Sequence, residues 1–268
     1  MLDEVEAVPG QLLYAVFGSA TEGHFDLENV LFYNVGTKFL NRAGRYGVRF
    51  ERRFAAPPLP ENKLAPMPHY HCYALTSTNG QFKHWQNGAQ VAHWTFSAER
   101  AADLRDCARV WLALKQNGKV TVGTDTLAGP LQLRISIAIP QGSGLAAMTF
   151  LKPLLDGIIS AFHAHDGDDE MEIARRLARR TGANAEVITD LLRQRKSAVL
   201  GTRRLLWKWG MNGVQWNPAD ERCVAVEVQL NELQDLKTFA VRGEMRMAIS
   251  GLTEAGDSMQ VNRQNSQG

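Results

Sequence analysis

The sequence predicts an α+β protein: a mixed or antiparallel sheet of several strands, with helices near residues 97–116, 153–165, 168–180 and 184–199. Two patterns carry this expectation. Short runs with period-two alternation, or rich in β-branched and aromatic residues, lie between Gly, Pro and Asn breaks, as strands do. Longer stretches repeat apolar residues at three and four positions behind a capping residue, as amphipathic helices do. The composition agrees. With 44% hydrophobic and 22% charged residues the chain is neither fibrous nor largely disordered, and 268 residues suffice for a core that needs no staple.

In chain order, QLLYAVFGS (11–19), GVRFERRFA (47–55), HYHCYALTS (69–77) and AQVAHWTFS (89–97) read as strands, most simply an antiparallel sheet. Between the first two, DLENVLFYNVGTKFL suits either a helix capped by Asp26 or a buried strand, because short apolar runs are ambiguous by pattern. Residues 56–68 hold five prolines and are expected to form an irregular loop. In helix 97–116, Ser97 is the expected N-cap and Glu99 and Asp103 lie near the positive end. Leu104, Cys107, Ala108, Trp111 and Leu114 supply its apolar stripe, and Gly118 stops it. LQLRISIAIP (131–140) is a strand followed by the loop QGSG, and Pro153 suits the first turn of helix 153–165. Helices 168–180 and 184–199 are separated by TGAN, with Asn184 as a cap. CVAVEVQL (223–230) and FAVRGEMRMAI (239–249) close the strand set.

Residues 1–250 read as a single α+β domain, with room for a helical insertion at 167–210, and 251–268 as a disordered tail. No tandem repeat is apparent. Cys72, Cys107 and Cys223 are widely spaced and odd in number, so neither a disulfide framework nor a zinc finger is suggested, and a reducing cytoplasm fits. MLDEVEAVPG lacks the features of a secretory signal, and no run of about 18 apolar residues occurs, so the expectation is a cytoplasmic protein with no membrane partner.

Charge is unevenly placed. From Ala174 to Lys208 ten Arg or Lys face two acids, Glu186 and Asp190, a local +8 in a chain of net +2. Such asymmetry points to a polyanionic partner, with a pair of solvated helices as the alternative. Inside this stretch Ala178, Gly182 and Ile188 are spaced like the packing alanine, turn glycine and core residue of a helix-turn-helix. Arg175, Arg176, Arg179, Arg180, Arg193, Arg195, Lys196, Arg203, Arg204 and Lys208 are the candidate phosphate contacts. Trp207 and Trp209 either stack on bases or anchor a core.

The succession of strand 131–140, then Lys152-Pro153-Leu154-Leu155-Asp156-Gly157, then WNPADERCVAVEVQL (216–230) resembles the RusA-like Holliday-junction resolvases. In that family a strand leads to a Lys-Pro-Asp-x-Asp-Asn helix start and later to a paired-acid turn entering a strand. The resemblance, confined to residues 131–230, implies Asp156, Asp220 and Glu221 as catalytic acids, with Asp156 and Asp220 holding Mg²⁺. Leu154 stands at the first motif aspartate and Gly157 at the asparagine, so it implies either a metal-dependent endonuclease or an inactive relative. Phosphodiester hydrolysis with Mg²⁺ needs carboxylates from several elements, within about 4–6 Å of a common point. FDLENVLFYNV has a similar Asp-x-Glu-Asn start after a strand and glycine-bearing loop, which would add Asp26 and Glu28 through an internal duplication. A helix cap with a nearby acid gives the same letters and is the favoured reading.

Other constellations carry less. His69 and His71 share a strand face beside Cys72, and His163 and His165 precede a run of acids. Neither pair has a second spaced pair of ligands, so structural roles are expected. Gly142-Ser143-Gly144 lacks the lysine of a P-loop, and neither GxGxxG nor GxSxG occurs. Two functional expectations result. One is a nucleic-acid-associated protein, acting on DNA or RNA as a RusA-like Mg²⁺ endonuclease or as an inactive relative. The other is a non-enzymatic adaptor without a cofactor, docking Arg-rich helices on an acidic protein surface within an oligomer, ribonucleoprotein or defence complex.

Overall fold

The computed structural model describes residues 5–19, 26–32, 35–54, 69–123, 129–143, 145 and 147–251. The proline-rich stretch 56–68 and the tail 252–268 lie outside the described residues. An α+β architecture is present. Strands β1 (Gln11–Ser19), β2 (Gly47–Phe54), β3 (His69–Ser77), β4 (Trp85–Ala98), β5 (Lys119–Val122), β6 (Leu131–Pro140), β11 (Cys223–Leu233) and β12 (Phe239–Ser250) form one sheet in the order β3-β1-β2-β11-β6-β12-β4-β5. It is mixed rather than purely antiparallel, because β1 with β2 and β6 with β11 run parallel.

Helices α1 (Leu27–Phe32), α2 (Thr37–Ala43), α3 (Ala101–Leu104), α4 (Cys107–Asn117) and α5 (Leu151–Ala161) precede the pair α6 (Glu170–Thr181) and α7 (Ala185–Arg193). Short strands β7 (Ala164–His165) and β8 (Thr202–Arg203) pair in parallel, and β9 (Leu206–Trp209) and β10 (Gly213–Trp216) form a hairpin. One continuous cluster of buried side chains joins Leu133, Ile135 and Ile137 of the sheet to Val110 and Trp111 of α4. It continues through Leu154 and Ile158 of α5 to Ile173 and Leu177 of α6 and Ile188 of α7. Buried apolar surface of this extent is the main source of stability in a domain.

Several expected boundaries move, each for a local reason. Ser97 is not a cap: β4 runs on to Ala98, and Ser97 pairs with Ala240 of β12. The helix expected at 97–116 therefore divides into α3 and α4, and Asp106 caps α4 by accepting from Ala108 N at 2.9 Å. α5 begins before Pro153 and ends at Ala161, since the next residues enter β7. Asn184 does cap α7, accepting from Glu186 N at 2.7 Å, but α7 stops at Arg193, and Val199 and Leu200 return into the core. The ambiguous run after residue 26 is helical, as α1 and α2.

The sheet also contains a repeat of topology. β1 takes β2 as its parallel neighbour and the returning β3 on its other side; β6 takes β11 and the returning β12 in the same way. The two units meet where β2 and β11 pair antiparallel. Each unit carries helices in its parallel crossover, α1 and α2 in the first and α5 to α7 in the second. The opposite side of the junction buries Arg49 against Glu227 at 2.5 Å, and Glu51 accepts from Tyr14 Oη and from the backbone of Lys83 and His84.

Candidate metal centre

α5 turns Leu151, Leu154, Leu155, Ile158 and Ile159 into the core, so that Lys152 and Asp156, four residues apart, share its opposite face. α1 is fixed by burial of Leu27, Leu31 and Phe32, which sets Asp26 at its start and Glu28 in its first turn. Asp220 sits in a short 3₁₀ turn, Asp220–Arg222, held by Arg222 donating to Gly129 O and by buried Cys223 at the start of β11. These three segments converge. Lys152 Nζ lies 2.7 Å from Asp26 Oδ2, 3.1 Å from Glu28 Oε1, 3.4 Å from Asp156 Oδ1 and 3.8 Å from Asp220 Oδ2. Asp26, Glu28 and Asp220 also bring one carboxylate oxygen each within 4.8 Å of one another.

Four carboxylates around one ammonium leave an excess of negative charge in a half-buried place. Burial pushes Asp156 up to about 6, with Glu28 and Asp26 adding to the shift and Lys152 opposing it. Burial likewise raises Asp220 to about 8, helped by its hydrogen bond to Asp26 and by the charges of Asp26 and Asp156. Glu28 is raised by burial against the pull of Lys152. Burial works in the same direction on Asp26, but hydrogen bonds from Lys152 and Asp220 outweigh it and hold the carboxyl below its ordinary range. The hydrogen bond that Asp220 and Asp26 share thus pushes the two carboxyls in opposite directions. Burial disfavours the Lys152 charge, yet attraction from Asp156, Glu28 and Asp26 keeps the ammonium protonated well above the usual lysine range. Beside the cluster opens a cavity of about 270 Å³ lined by Glu28, Phe32, Leu40, Met148, Leu151 and Lys152.

Of the acids singled out in the sequence, Asp156 and Asp220 meet, both within 3.8 Å of the same nitrogen. Glu221 does not join them; its Oε1 lies 3.7 Å from Arg203, because the 3₁₀ turn points successive side chains in different directions. Asp26 and Glu28 do join, which corrects the reading of Asp26 as a cap only. Its Oδ2 accepts from Asn29 Nδ2 at 2.5 Å and also from Lys152. The letters that betrayed them were the repeated strand, glycine loop and acidic helix start. Leu154, at the position of the resembled motif's first aspartate, is fully buried and could not present a carboxylate here. Gly157, at the asparagine position, lies against α4, where a Cβ would meet Val110 Cβ at 2.7 Å.

The basic stretch is largely matched by acids from outside it. Arg175, Arg176 and Arg179 converge on Glu172, Arg180 on Asp106, Arg193 on Glu170, Arg203 on Glu221, and Arg204 and Lys208 on Asp169. Among the described residues Arg195 and Lys196 make no ion pair. Arg176 is the least available to a ligand, being mostly buried and donating to Gly210 O and Gly213 O. α6 and α7 are joined through Gly182, which closes α6 in the left-handed conformation, φ 82°. His163 and His165 are buried, His163 Nδ1 contacting Gly201 O just before β7 and His165, within β7, accepting from Leu205 N through Nδ1. Burial disfavours the charged form of both, in keeping with the structural roles expected of them. No described helix is long and apolar enough to cross a membrane. Comparison of the chain with protein-family models, curated proteins and solved structures returns no match.

Proposed function

We propose that the chain is a metal-dependent nucleic-acid phosphodiesterase whose site chemistry is RusA-like, with Asp26, Glu28, Asp156 and Asp220 as the carboxylates that would hold Mg²⁺. The supporting observation is the charge imbalance: four acids from three chain segments converge where a single ammonium opposes them. An ion pair built only for stability would match its charges, since uncompensated buried charge is destabilising. An all-oxygen donor set suits a hard divalent cation, and such an ion, when bound, supplies Lewis-acid polarisation of a phosphoryl oxygen. Lys152 holds a fixed positive charge at the same point and would pair with a phosphate oxygen of the bound strand. Arg195 and Lys196 would add backbone contacts, so binding should weaken steeply with added salt.

One observation favours a second reading, an inactive relative or adaptor. Lys152 Nζ already reaches all four carboxylates and stands where a cation would be expected. Labelled single-stranded, duplex and four-way-junction DNA, and RNA, incubated with Mg²⁺, Mn²⁺ or EDTA, separate the two. The nuclease reading expects metal-dependent cleavage that Asp156→Asn and Asp220→Asn remove while binding in EDTA persists. Cleavage unchanged in both variants refutes the assignment. Absence of cleavage together with absence of Mn²⁺ binding by calorimetry leaves the adaptor reading.

A further inference from the structure

The β9–β10 hairpin has two faces of opposite character. Alternation along β9 places Leu206 and Lys208 on one side and Trp207 and Trp209 on the other. On the first side Leu206 is fully buried, its cross-strand partner Trp216 packs on Trp111 at 5.8 Å, and Lys208 reaches Asp169 at 3.6 Å. That side is the inner one. On the outer side Trp207 is 41% and Trp209 66% exposed, and Met211 in the connecting turn is 90% exposed. Opposite Trp209 the partner strand has Gly213, and opposite Trp207 it has Gln215, so no bulky cross-strand neighbour covers Trp209. Exposed tryptophans grouped on a rigid element mark an interaction surface more often than isolated apolar residues do.

The hairpin is braced. Arg176 Nη1 donates to Gly210 O at 3.1 Å and Gly213 O at 2.9 Å from both sides of the turn, and its Nε is fixed by Glu172 at 3.0 Å. The backbone that carries the indoles is therefore held at its turn. One cation touches them directly: the Arg204 guanidinium lies 4.0 Å above the Trp207 ring and also reaches Asp169 at 3.7 Å. The chain leaving β10 at Trp216 enters the Asp220 turn after residues 217–219. Flat π faces with a guanidinium beside them form the chemistry that receives unpaired nucleobases.

We propose that the outer face of the β9–β10 hairpin is a base-stacking platform: Trp209, beside the Arg204-backed Trp207, holds unpaired bases of a nucleic-acid strand. The proposal rests on the nucleic-acid reading above and narrows it to substrates with single-stranded character. Fluorescence anisotropy in EDTA, with labelled oligodeoxynucleotide, oligoribonucleotide and an abasic strand of equal length, isolates stacking from metal and from phosphate. The intact chain should bind the base-bearing strands and bind the abasic one more weakly. Trp209→Ala should weaken base-bearing strands roughly 5- to 100-fold with little effect on the abasic strand. Trp209→Phe should restore most of the loss, and unchanged thermal denaturation of both variants would show that the fold is retained. Equal affinity for intact and abasic strands, or undiminished binding by Trp207→Ala and Trp209→Ala, overturns the platform. So does self-association, lost in Trp209→Ala, without strand binding. Mn²⁺ titration of the intact chain and of Asp220→Asn tests the acidic cluster independently: base-dependent binding without metal binding keeps the platform and removes the metal site, and the converse does the opposite.

Discussion

Replacing Lys152 with methionine retains much of its aliphatic stem and removes the charge that touches all four carboxylates. Breaking a buried ionic network by deleting one partner costs about 3–5 kcal/mol. Lys152 is 35% exposed, however, and Asp26 27%, so solvent screens part of the interaction. The acids also respond: Glu28, Asp156 and Asp220, already raised, take up protons more readily once Lys152 no longer opposes the rise. The expected net loss in EDTA at neutral pH is therefore about 2–3 kcal/mol, a fall in Tm of roughly 5–10 °C for a chain of this size. If the acids form a cation site, excess Mg²⁺ or Mn²⁺ should restore the loss, since a ligand at about 100 times its Kd adds about 2.7 kcal/mol. Thermal denaturation of the parent chain, Lys152→Met and Lys152→Met/Asp220→Asn, each with EDTA and with Mg²⁺, reads this directly. Metal should stabilise the single variant most and the double variant least. A single variant that melts with the parent in EDTA, or whose loss no divalent cation recovers, refutes the reasoning.

Metal binding should also release protons, because Asp220 sits at about 8 and must ionise to serve as a ligand. Calorimetry at pH 7 in two buffers of different ionisation heat should therefore report release of about one proton, with affinity rising to about pH 8 and then levelling; no buffer dependence would remove Asp220 from the site. Gly157→Ala should destabilise the chain by about 1–3 kcal/mol in urea denaturation through overpacking against Val110 and the Cys107 carbonyl, and an unchanged midpoint would mean that α4 and α5 separate easily. His163, lowered by burial to about 4, stabilises the folded chain fully above its unfolded value near 6.5, and that contribution disappears as pH falls toward 4. The loss should approach 3 kcal/mol, and His163→Gln should flatten the pH dependence of urea denaturation between those limits; an equally steep profile in the variant would assign the titration elsewhere.

Strand-forming composition was sufficient to place β1, β3 and β6 at their observed limits, because runs of β-branched and aromatic residues and their flanking breakers are written locally. The Asn184 cap was legible for the same reason, through a hydrogen bond within two residues. Asp156 and Asp220 could be singled out by a motif, but motif order says nothing of direction, and Glu221 beside Asp220 turns to Arg203 instead. Ser97 has the letters of a cap and the partner of a strand, and only β12 pairing decides between them.

Charge shows the same division most clearly. From sequence, residues 174–208 carry a net +8. In the fold, Asp106, Asp169, Glu170, Glu172 and Glu221 come from outside that window to pair with eight of its ten cations. By itself the sequence determined the α+β class, the strands with clear alternation and the presence of acids in the right kinds of turn, since backbone sterics and hydrophobic periodicity act over a few residues. The tertiary structure alone decided that Asp26 and Glu28 stand with Asp156 and Asp220 around Lys152, and that two tryptophans of one hairpin face outward. Those arrangements depend on which distant segments share the same low-dielectric space, and no local pattern specifies that.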